Sequence, residues 1–201
     1  MTGALASLLD ECVGRRPSAA YAAKMLHAVA TVPIVDREAW LLERVAGKTV
    51  LEFGASGPFH ERAVRAAAAV VAFDRPGTSA SGVSGFDLDD VTCGDLPQVA
   101  GAETILCGEV LEHLSNPGWF LTRLRRQYPG VPLLVSVPNA FSDAALRSIL
   151  QGVEQVNRDH VAWYSPKTLE WLLARAGYQI LEWAWYHGQP GTAEGLVARA
   201  E

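Results

Sequence analysis

A strand that ends in an acidic residue and then turns through glycine into a helix is the most informative chemical feature of this sequence. The stretch Val50-Leu51-Glu52-Phe53-Gly54-Ala55-Ser56-Gly57-Pro58 has this pattern. Glycine adopts positive φ and places no Cβ in the way of a ligand, and the first turn of a helix offers unpaired N–H groups. The pattern favours a ligand site at the carboxyl end of a parallel strand, although a tight turn without a ligand has the same residues.

A second acidic residue, Asp74, ends the next apolar run of strand length. The two runs and the alanine-rich segment between them form a β-α-β unit, which places both strand ends at one edge of a parallel sheet. A carboxylate there can accept hydrogen bonds from both hydroxyls of a ribose. The spacing therefore predicts a ligand that contains a nucleoside.

Seven apolar runs of strand length set the predicted fold class. They span residues 48–53, 69–73, 83–88, 104–107, 131–137, 178–186 and 195–200. Helices are predicted over 59–68, from Asn116-Pro117, and from Ser165-Pro166 to a point near Gly177, because a capping residue followed by proline starts a helix and glycine ends one. The short turn 188–191 requires the last two strands to be antiparallel. We expect an α/β, Rossmann-like, mostly parallel seven-stranded sheet with a C-terminal antiparallel hairpin and helices on both faces.

Length and composition indicate one soluble domain. The 201 residues are 49% hydrophobic and 19% charged, with a net charge of −5, which does not favour broad binding to nucleic acid or anionic lipid. Cys12, Cys93 and Cys107 have no metal-ligand spacing, and an odd count disfavours a disulfide framework, so a reducing cytoplasm is expected. No signal-peptide pattern and no apolar run of about 20 residues is present. Residues 1–46 are predicted to form a helical N-terminal cap or lid, and 47–201 the ligand-binding domain.

Four segments in a fixed order carry a resemblance to a known family. They are Leu51-Glu52-Phe53-Gly54-Ala55-Ser56-Gly57, then Cys107-Gly108-Glu109-Val110-Leu111-Glu112-His113-Leu114 with Asn116-Pro117, then Ser136-Val137-Pro138-Asn139, and finally His160 with Tyr164-Ser165-Pro166 and Leu169 through Ala176-Gly177-Tyr178. Over residues 45–200 the sequence resembles the class I S-adenosylmethionine-dependent methyltransferases of the small-molecule, methyltransferase-23-like type.

The resemblance implies a cofactor, S-adenosylmethionine, with S-adenosylhomocysteine as its product, and a role for each matching residue. Glu52 would orient the amino acid part of the cofactor, Asp74 would hold the ribose hydroxyls, and Asp87 would lie near the adenine amine. The resemblance also implies two sets of lining residues. Gly54, Ala55, Ser56 and Gly57 would pass beside the methionine and ribose, and Cys107, Gly108 and Glu109 would line the methionine side.

The sequence departs from the family pattern at three points. Ser56 and Pro58 stand where the family usually or often has glycine, which brings the strength of cofactor binding into question. The segment after Asp74 is short for a helical crossover, which brings the assignment of Asp87 into question.

The acceptor side has two open interpretations. His113 and His160 lie in segments that the resemblance places at the cleft, and either imidazole could act as the base that assists O-methylation of a small molecule. Alternatively, Glu109, Glu112, His113 and His160 resemble the metal site of small-RNA 2′-O-methyltransferases and of some quinone-biosynthesis O-methyltransferases. Two carboxylates and two imidazoles suit Mg²⁺, Mn²⁺ or Zn²⁺. We favour the base without a metal.

Three other functions stay open. A metal-assisted RNA 2′-O-methyltransferase would fit the acidic and histidine cluster, but the chain lacks the basic balance expected of an RNA-binding protein. A nicotinamide-dependent oxidoreductase would need glycine at Ser56 and a Tyr-x-x-x-Lys motif, which the sequence lacks. A catalytically inactive, methyltransferase-like binding protein is compatible with the departures at Ser56 and Pro58. We expect a small-molecule acceptor and no membrane partner, and the residues favour no particular oligomeric state.

Overall fold

One eight-stranded sheet organises the part of the chain that the structure, a computed structural model, describes: residues 32–90 and 95–201. Its strands lie in the order β1-β7-β8-β6-β5-β2-β3-β4, and β8 is antiparallel to both of its neighbours while every other pair is parallel. The strands are β1 Ile34–Val35, β2 Thr49–Phe53, β3 Ala69–Asp74, β4 Val83–Gly85, β5 Thr104–Gly108, β6 Leu133–Pro138, β7 Ile180–Tyr186 and β8 Gly195–Ala200.

Five α-helices and one 3₁₀ turn connect the described strands. They are α1 Arg37–Val45, α2 Gly57–Ala66, the 3₁₀ turn Leu111–His113, α3 Pro117–Gln127, α4 Asp143–Leu150 and α5 Pro166–Arg175. Side-chain caps fix several starts: Asn116 accepts a hydrogen bond from the Trp119 N–H at 3.0 Å, and Ser165 forms a reciprocal capping box with Thr168. These two caps confirm the helix starts predicted from Asn-Pro and Ser-Pro.

Helices cover both faces of the sheet, as predicted. Adjacent strand residues point to opposite faces, so the fully buried Val50 and Leu51 belong to different hydrophobic clusters. The Val50 cluster includes Trp40 and Leu41 of α1, whereas the larger Leu51 cluster takes in buried side chains of α3 and α5. A sheet that is buried on both sides holds its strand ends rigidly, which is what a site at those ends requires.

The strand order reverses between β2 and β5, which are hydrogen-bonded neighbours although two strands lie between them in the chain. In open α/β sheets a ligand binds at the carboxyl ends of the strands where this reversal occurs. The reversal places the glycine turn after β2 beside Gly108 at the end of β5, and Asp74 one strand further along. Topology therefore supports the site that the sequence indicates.

The structure differs from the predicted fold in three details. The sheet has eight strands instead of seven because the two-residue β1 pairs in parallel with Trp185 and Tyr186 of β7. The predicted strand 83–88 ends at Gly85, and α4, which the sequence did not indicate, lies between β6 and α5. The segment between β3 and β4 contains no helix, as the short crossover predicted.

The predicted N-terminal cap can be followed only in part. Residues 37–45 form α1, whereas residues 1–31, together with Cys12, lie outside the described residues, as does Cys93. The assignment of 1–46 as a cap or lid, and of 47–201 as the ligand-binding domain, stays a prediction. Within the described residues, no helix has the length and apolarity needed to cross a bilayer.

Candidate active site

The turn after β2 depends on two glycines for its shape. Gly54 and Gly57 have φ values of 76° and 68°, in the left-handed region that favours glycine. A Cβ on Gly54 would lie 2.5 Å from Cγ2 of Val110, so any side chain there would collide with the segment that follows β5. Ser56 has extended backbone angles, with φ −144° and ψ 156°, so its departure from glycine needs no strained conformation.

A cavity of about 820 Å³ opens along the carboxyl ends of four neighbouring strands, from β4 through β3 and β2 to β5. Six of the predicted site residues line it: Gly54, Ser56, Asp74, Asp87, Glu109 and His113. The volume falls in the range of pockets that enclose small molecules and cofactors. The structure thus brings together one predicted residue or more from each of the four strand ends.

The two aspartates on the β3–β4 side of the cavity have mainly local contacts. Asp74 accepts a hydrogen bond from the Arg75 N–H at 2.7 Å, and Asp87 accepts one from the Asp89 N–H at 2.9 Å. Asp89 in turn accepts hydrogen bonds from the backbone and hydroxyl of Ser115, at 2.9 and 3.1 Å. This contact ties the β4 loop to the loop before α3, so Asp87 reaches the cavity even though the crossover lacks a helix.

Glu52 lies beneath the glycine turn rather than on the cavity wall. Its side chain is buried, and its Oε2 is 2.7 Å from Nδ1 of His60, which is buried in the first part of α2. Burial raises the pKa of Glu52, and the contact with His60 opposes that shift. The predicted contact of Glu52 with the cofactor stays a prediction, and the structure identifies His60 as its partner.

Four other predicted residues lie away from the cavity lining: Ala55, Gly57, Cys107 and Gly108. The side chains of Ala55 and Cys107 are fully buried, and Cys107 belongs to the core between the sheet and α3. Burial raises the pKa of the Cys107 thiol, which makes it an inert core group. The implied role of Cys107 at the methionine side stays a prediction, and alternation along β5 turns its side chain into the core.

Glu109 follows β5 directly and has an unusual backbone conformation, with a φ of 55°. Its carboxylate accepts hydrogen bonds from the hydroxyls of Ser136, at 2.7 Å, and Tyr186, at 2.9 Å. Nη1 of Arg37 lies 3.5 Å from the same carboxylate. A non-glycine residue in the left-handed region persists only where its surroundings fix it, and these contacts from three elements do so.

Glu112, His113 and His160 form a compact cluster, and His113 lines the cavity. One potential ligand atom from each lies within 4.8 Å of the others. Glu112 is 1% exposed, and no other described residue donates a hydrogen bond to either of its carboxylate oxygens. Burial, reinforced by the nearby Glu109, raises the pKa of Glu112 to about 8.

The hydrogen bond of His113 determines which of its ring nitrogens can accept a proton. Nδ1 lies 3.1 Å from the carbonyl oxygen of Asp159, and because a carbonyl can only accept, Nδ1 carries the hydrogen. In neutral His113 the lone pair is therefore on Nε2. The rings of His113 and His160 meet edge to face at 4.7 Å, and burial together with His113 lowers the pKa of His160.

The four-residue metal site weighed from the sequence is not assembled as a unit. Glu112, His113 and His160 come together, whereas the carboxylate of Glu109 is engaged by Arg37, Ser136 and Tyr186. Sequence reasoning missed these last three residues as well as His60. A weak signal existed for Ser136, the single polar residue in the apolar strand β6, but none for Arg37 or Tyr186.

The cavity residues fit the adenosyl cofactor that the resemblance implies. The glycine turn leaves room for a close approach of the ligand, and the first N–H groups of α2 follow it directly. Asp74 and Asp87 provide carboxylates for hydroxyl and amine groups, at two points along the cavity. His113 supplies a lone pair at the opposite end.

Comparisons with known proteins agree with this geometry. The family model described as a methyltransferase domain matches residues 21–182. No curated protein sequence matches the chain significantly. The chain is similar in structure to the small RNA methyltransferase HEN1, with a TM-score of 0.60 and 17% identity over 82% of this chain and 24% of HEN1.

Two similar structures are of enzymes named for small molecules. The mitomycin 7-O-methyltransferase MmcR has a TM-score of 0.56 and 16% identity, over 82% of this chain and 52% of MmcR. The 1,6-didemethyltoxoflavin-N1-methyltransferase from Burkholderia thailandensis, solved with S-adenosylhomocysteine bound, has a TM-score of 0.58 and 17% identity, over 82% of this chain and 75% of that one.

At these identities the structural likeness establishes the fold, and the chain spans about a quarter of HEN1 and about half of MmcR. The family rests on the match of the methyltransferase-domain model, which extends over most of the chain. This protein therefore belongs to the methyltransferase-domain family.

Proposed function

We propose that this enzyme transfers the methyl group of S-adenosylmethionine to an oxygen atom of a small-molecule acceptor, with His113 as the base. The observation that carries the proposal is the position and protonation of His113. Its ring lines the same cavity as Gly54, Ser56 and Asp74, and its Nδ1 donates to Asp159, which leaves the Nε2 lone pair for an acceptor proton.

Different residues of the cavity would bind different parts of the cofactor. Asp74 would accept hydrogen bonds from the ribose hydroxyls, and Asp87 would accept one from the adenine amine. The glycine turn would pass beside the sugar and the methionine, while Glu52 would act from beneath it with His60 as its hydrogen-bond partner. Glu109 marks the methionine end of the cavity.

When bound, S-adenosylmethionine supplies a methyl group on a positively charged sulfur. Transfer breaks the carbon–sulfur bond and forms a carbon–oxygen bond, so the acceptor hydroxyl must lose its proton. Nε2 of His113 is placed to take that proton, which leaves an imidazolium stabilised by the carbonyl of Asp159. General-base assistance of this kind contributes about 10²- to 10⁴-fold, and positioning of the two reactants contributes a large further factor.

Charge and similar structures support a small acceptor over RNA. The net charge of −5 does not favour a polyanion, whose binding depends on lysine and arginine contacts. The similar mitomycin and toxoflavin enzymes are named for small molecules.

Two measurements test the proposal. Calorimetry should detect S-adenosylhomocysteine binding in the micromolar range and no binding of NAD, and tight NAD binding alone would contradict a methyl-transfer function. Transfer of labelled methyl from S-adenosylmethionine should then be assayed against hydroxylated small molecules and against short RNA. Cofactor binding without transfer to any acceptor would support an inactive binding protein instead.

A metal-assisted mechanism is the second candidate, because the buried carboxylate of Glu112 has no hydrogen-bond partner on another described residue. Such a group is expected to be either protonated or paired with a cation. A divalent ion held by Glu112, His113 and His160 would satisfy it and would also orient the acceptor oxygen. This candidate predicts that a chelator abolishes transfer, that Mn²⁺, Mg²⁺ or Zn²⁺ restores it, and that Glu112→Ala is as harmful as His113→Ala.

The same methyl-transfer assay also tests RNA as the acceptor. Methylation of a 3′-terminal ribose that requires the added metal would replace the small-molecule proposal with the RNA alternative. Transfer to a small hydroxylated acceptor that survives chelation would exclude the metal and retain His113 as the base.

A further inference from the structure

Residues 141–163, between β6 and α5, form a long excursion from the sheet whose two ends are held together. Asn139 pairs with Tyr164 in an isolated bridge, and the Ala140 N–H donates a hydrogen bond to the carbonyl oxygen of Tyr164 at 2.7 Å. The segment contains α4 and the loop that follows it. Ala145 is the only side chain between its two ends that is buried. The segment therefore contributes little to the core and presents most of its surface to the outside.

The outward surface of this segment is apolar. Of the twelve large apolar side chains that are exposed in residues 32–90 and 95–201, seven lie in it. They are Phe141, Ile149, Leu150, Val153, Val156, Val161 and Trp163. Single exposed apolar side chains are ordinary on a protein surface, whereas a concentration of them marks a surface that binds something. We call these seven side chains the apolar surface of the 141–163 segment.

Backbone hydrogen bonds bring these side chains close to one another. Phe141 and Trp163 flank the bridge at the two ends of the segment. The Val153 N–H donates to the carbonyl oxygen of Ser148 at 2.9 Å, which folds the loop against the last turn of α4. The apolar side chains are therefore neighbours at the ends of the segment and at its central turn.

The apolar surface continues directly from the reaction site. Asp159 lines the cavity, and its carbonyl oxygen accepts the hydrogen bond from Nδ1 of His113. The ring of the next residue, His160, meets that of His113 edge to face. Val161 follows with 62% exposure, and its N–H donates to the carbonyl oxygen of Glu112 at 2.8 Å. A molecule that reaches His113 and extends out of the cavity past Asp159 therefore meets apolar side chains.

The charges of the segment narrow the class of molecule that it fits. The segment contains three acidic and two basic residues. Arg147 pairs with Asp143 at 2.7 Å, and Arg158 lies 3.8 Å from Asp159. RNA and anionic lipid surfaces are bound through clusters of cations, and here both arginines already have acidic partners. An uncharged apolar molecule is the occupant that matches this surface.

We propose that the methyl acceptor is an amphiphile, with its hydroxyl at His113 and its apolar body on the apolar surface of the 141–163 segment. This inference rests on the proposed function and adds to it the chemical class of the acceptor. Covering the apolar side chains removes apolar area of both partners from water, so affinity grows with the area that is covered. The cavity selects the hydroxylated end, and the segment selects the body.

A homologous series of para-n-alkylphenols, from ethyl to octyl, tests the inference on the full chain saturated with S-adenosylhomocysteine. Each methylene that is buried on the segment should tighten binding by about fourfold, which is the value of removing one CH₂ group from water. Titration calorimetry measures the dissociation constants. With S-adenosylmethionine carrying a labelled methyl group, kcat/KM for transfer should rise along the series with the same dependence on chain length.

A triple variant, Leu150→Ser, Val153→Ser and Val161→Ser, should reduce this dependence to about twofold or less per methylene. The three side chains are exposed, so the fold and the affinity for S-adenosylhomocysteine should be preserved. Val64→Ser combined with Leu181→Ser is the matched control, because both side chains are 49% exposed and lie on α2 and β7, outside the segment. The control should retain the full dependence on chain length.

The outcomes separate this inference from the proposed function. If the alkylphenols are methylated with no dependence on chain length, or if the triple variant retains the full dependence, the inference is wrong and the proposed methyl transfer stands. Failure of the whole series to bind also overturns the inference. A chain that does not bind S-adenosylhomocysteine contradicts the proposed function itself. A wild type that is dimeric by light scattering, with a monomeric triple variant, would instead assign the apolar surface to a contact between two copies of this chain.

Discussion

The two sides of the cavity are built in different ways. The nucleoside side, at the ends of β2, β3 and β4, presents Asp74 and Asp87, whose side chains accept hydrogen bonds from backbone N–H groups one and two residues away. The transfer side, at the end of β5, presents Glu109, whose partners Ser136 and Tyr186 are 27 and 77 residues away in sequence. The contacts of Asp74 and Asp87 are therefore between near neighbours in sequence, whereas those of Glu109 join distant segments.

This difference has a physical consequence for charge. The carboxylates of the nucleoside side are at least partly accessible to water, and a ligand can reach them there. The transfer side holds Glu112 fully buried beside Glu109 and two imidazoles, where charge is costly and protonation states depend on one another. Substitutions on the nucleoside side should therefore change affinity, whereas those on the transfer side should change rate and pH dependence.

The largest effect is expected for His113→Ala. Loss of the base should lower kcat by about 10²- to 10⁴-fold while the affinity for S-adenosylhomocysteine changes little, because the imidazole acts on the acceptor. The rate of the parent should fall in acid as the imidazoles become protonated. Since the pKa of His160 is below its usual value, that ring stays neutral at lower pH than an exposed histidine would. Steady-state kinetics across pH would measure both effects.

His187→Ala serves as the control for this prediction, because His187 is exposed and contacts Glu194 at 3.2 Å, away from the cavity. Equal rates for the two variants would rule out His113 as the base. A rate that survives loss of both His113 and His160, as well as chelation, would leave positioning alone as the source of catalysis.

The second effect concerns stability and comes from Glu112. Its pKa is about 8 in the folded protein against 4.5 for the ordinary group, so between these values the folded state holds a proton that the unfolded state has lost. The free energy of unfolding should therefore fall as pH rises from about 4.5 to 8 and level off above that. Glu112→Gln cannot lose this proton, and in the presence of a chelator its free energy of unfolding should exceed that of the parent by roughly 4–5 kcal/mol at pH 8.5 and by about 1 kcal/mol or less at pH 5.

Urea unfolding at the two pH values measures this difference directly. Glu170→Gln is a suitable control, because Glu170 is an exposed residue of α5 paired with Lys167. A variant that is no more stable than the parent at pH 8.5 would contradict a buried, unpartnered carboxylate. Stabilisation of the parent, but not of Glu112→Gln, by an added divalent ion would instead favour the metal-assisted candidate.

The third effect is a loss of affinity on the nucleoside side. Asp74→Ala should weaken S-adenosylhomocysteine by about 10- to 100-fold, because each charge-assisted hydrogen bond to the ribose contributes roughly 1.5–3 kcal/mol. The melting temperature should change little, since Asp74 ends β3 beside a loop. Asp95→Ala, at an exposed position paired with Arg126, should leave the affinity unchanged. Unaltered binding to Asp74→Ala would mean that Arg75 and its loop hold the ribose instead.

The same division explains how much could be predicted from the sequence. The glycine turn, the strand end at Asp74 and the helix caps at Asn116 and Ser165 are set by residues within a few positions of one another, and the structure contains each of these elements. The hydrogen bond between Tyr186 and Glu109 depends on where β7 lies in the sheet relative to β5. No local sequence pattern predicts that position. The burial of the Cys107 side chain could not be predicted either, because the position of a residue in a motif does not tell which face of β5 its side chain takes.

The smallest effect is expected for Ser56→Gly, which restores the residue usual in the family. Ser56 has extended backbone angles, makes no side-chain cap for α2 and lies exposed on the cavity wall. Glycine would gain little space for the ligand and would cost a few tenths of a kcal/mol as a helix cap, so the affinity for S-adenosylhomocysteine should change by about threefold or less. Gly54→Ala is the contrasting control, because its Cβ would collide with Val110, and it should destabilise the fold and reduce binding together. If Ser56→Gly instead tightens binding tenfold or more, the serine side chain obstructs the cofactor, and the departure from the family pattern at this position weakens the enzyme.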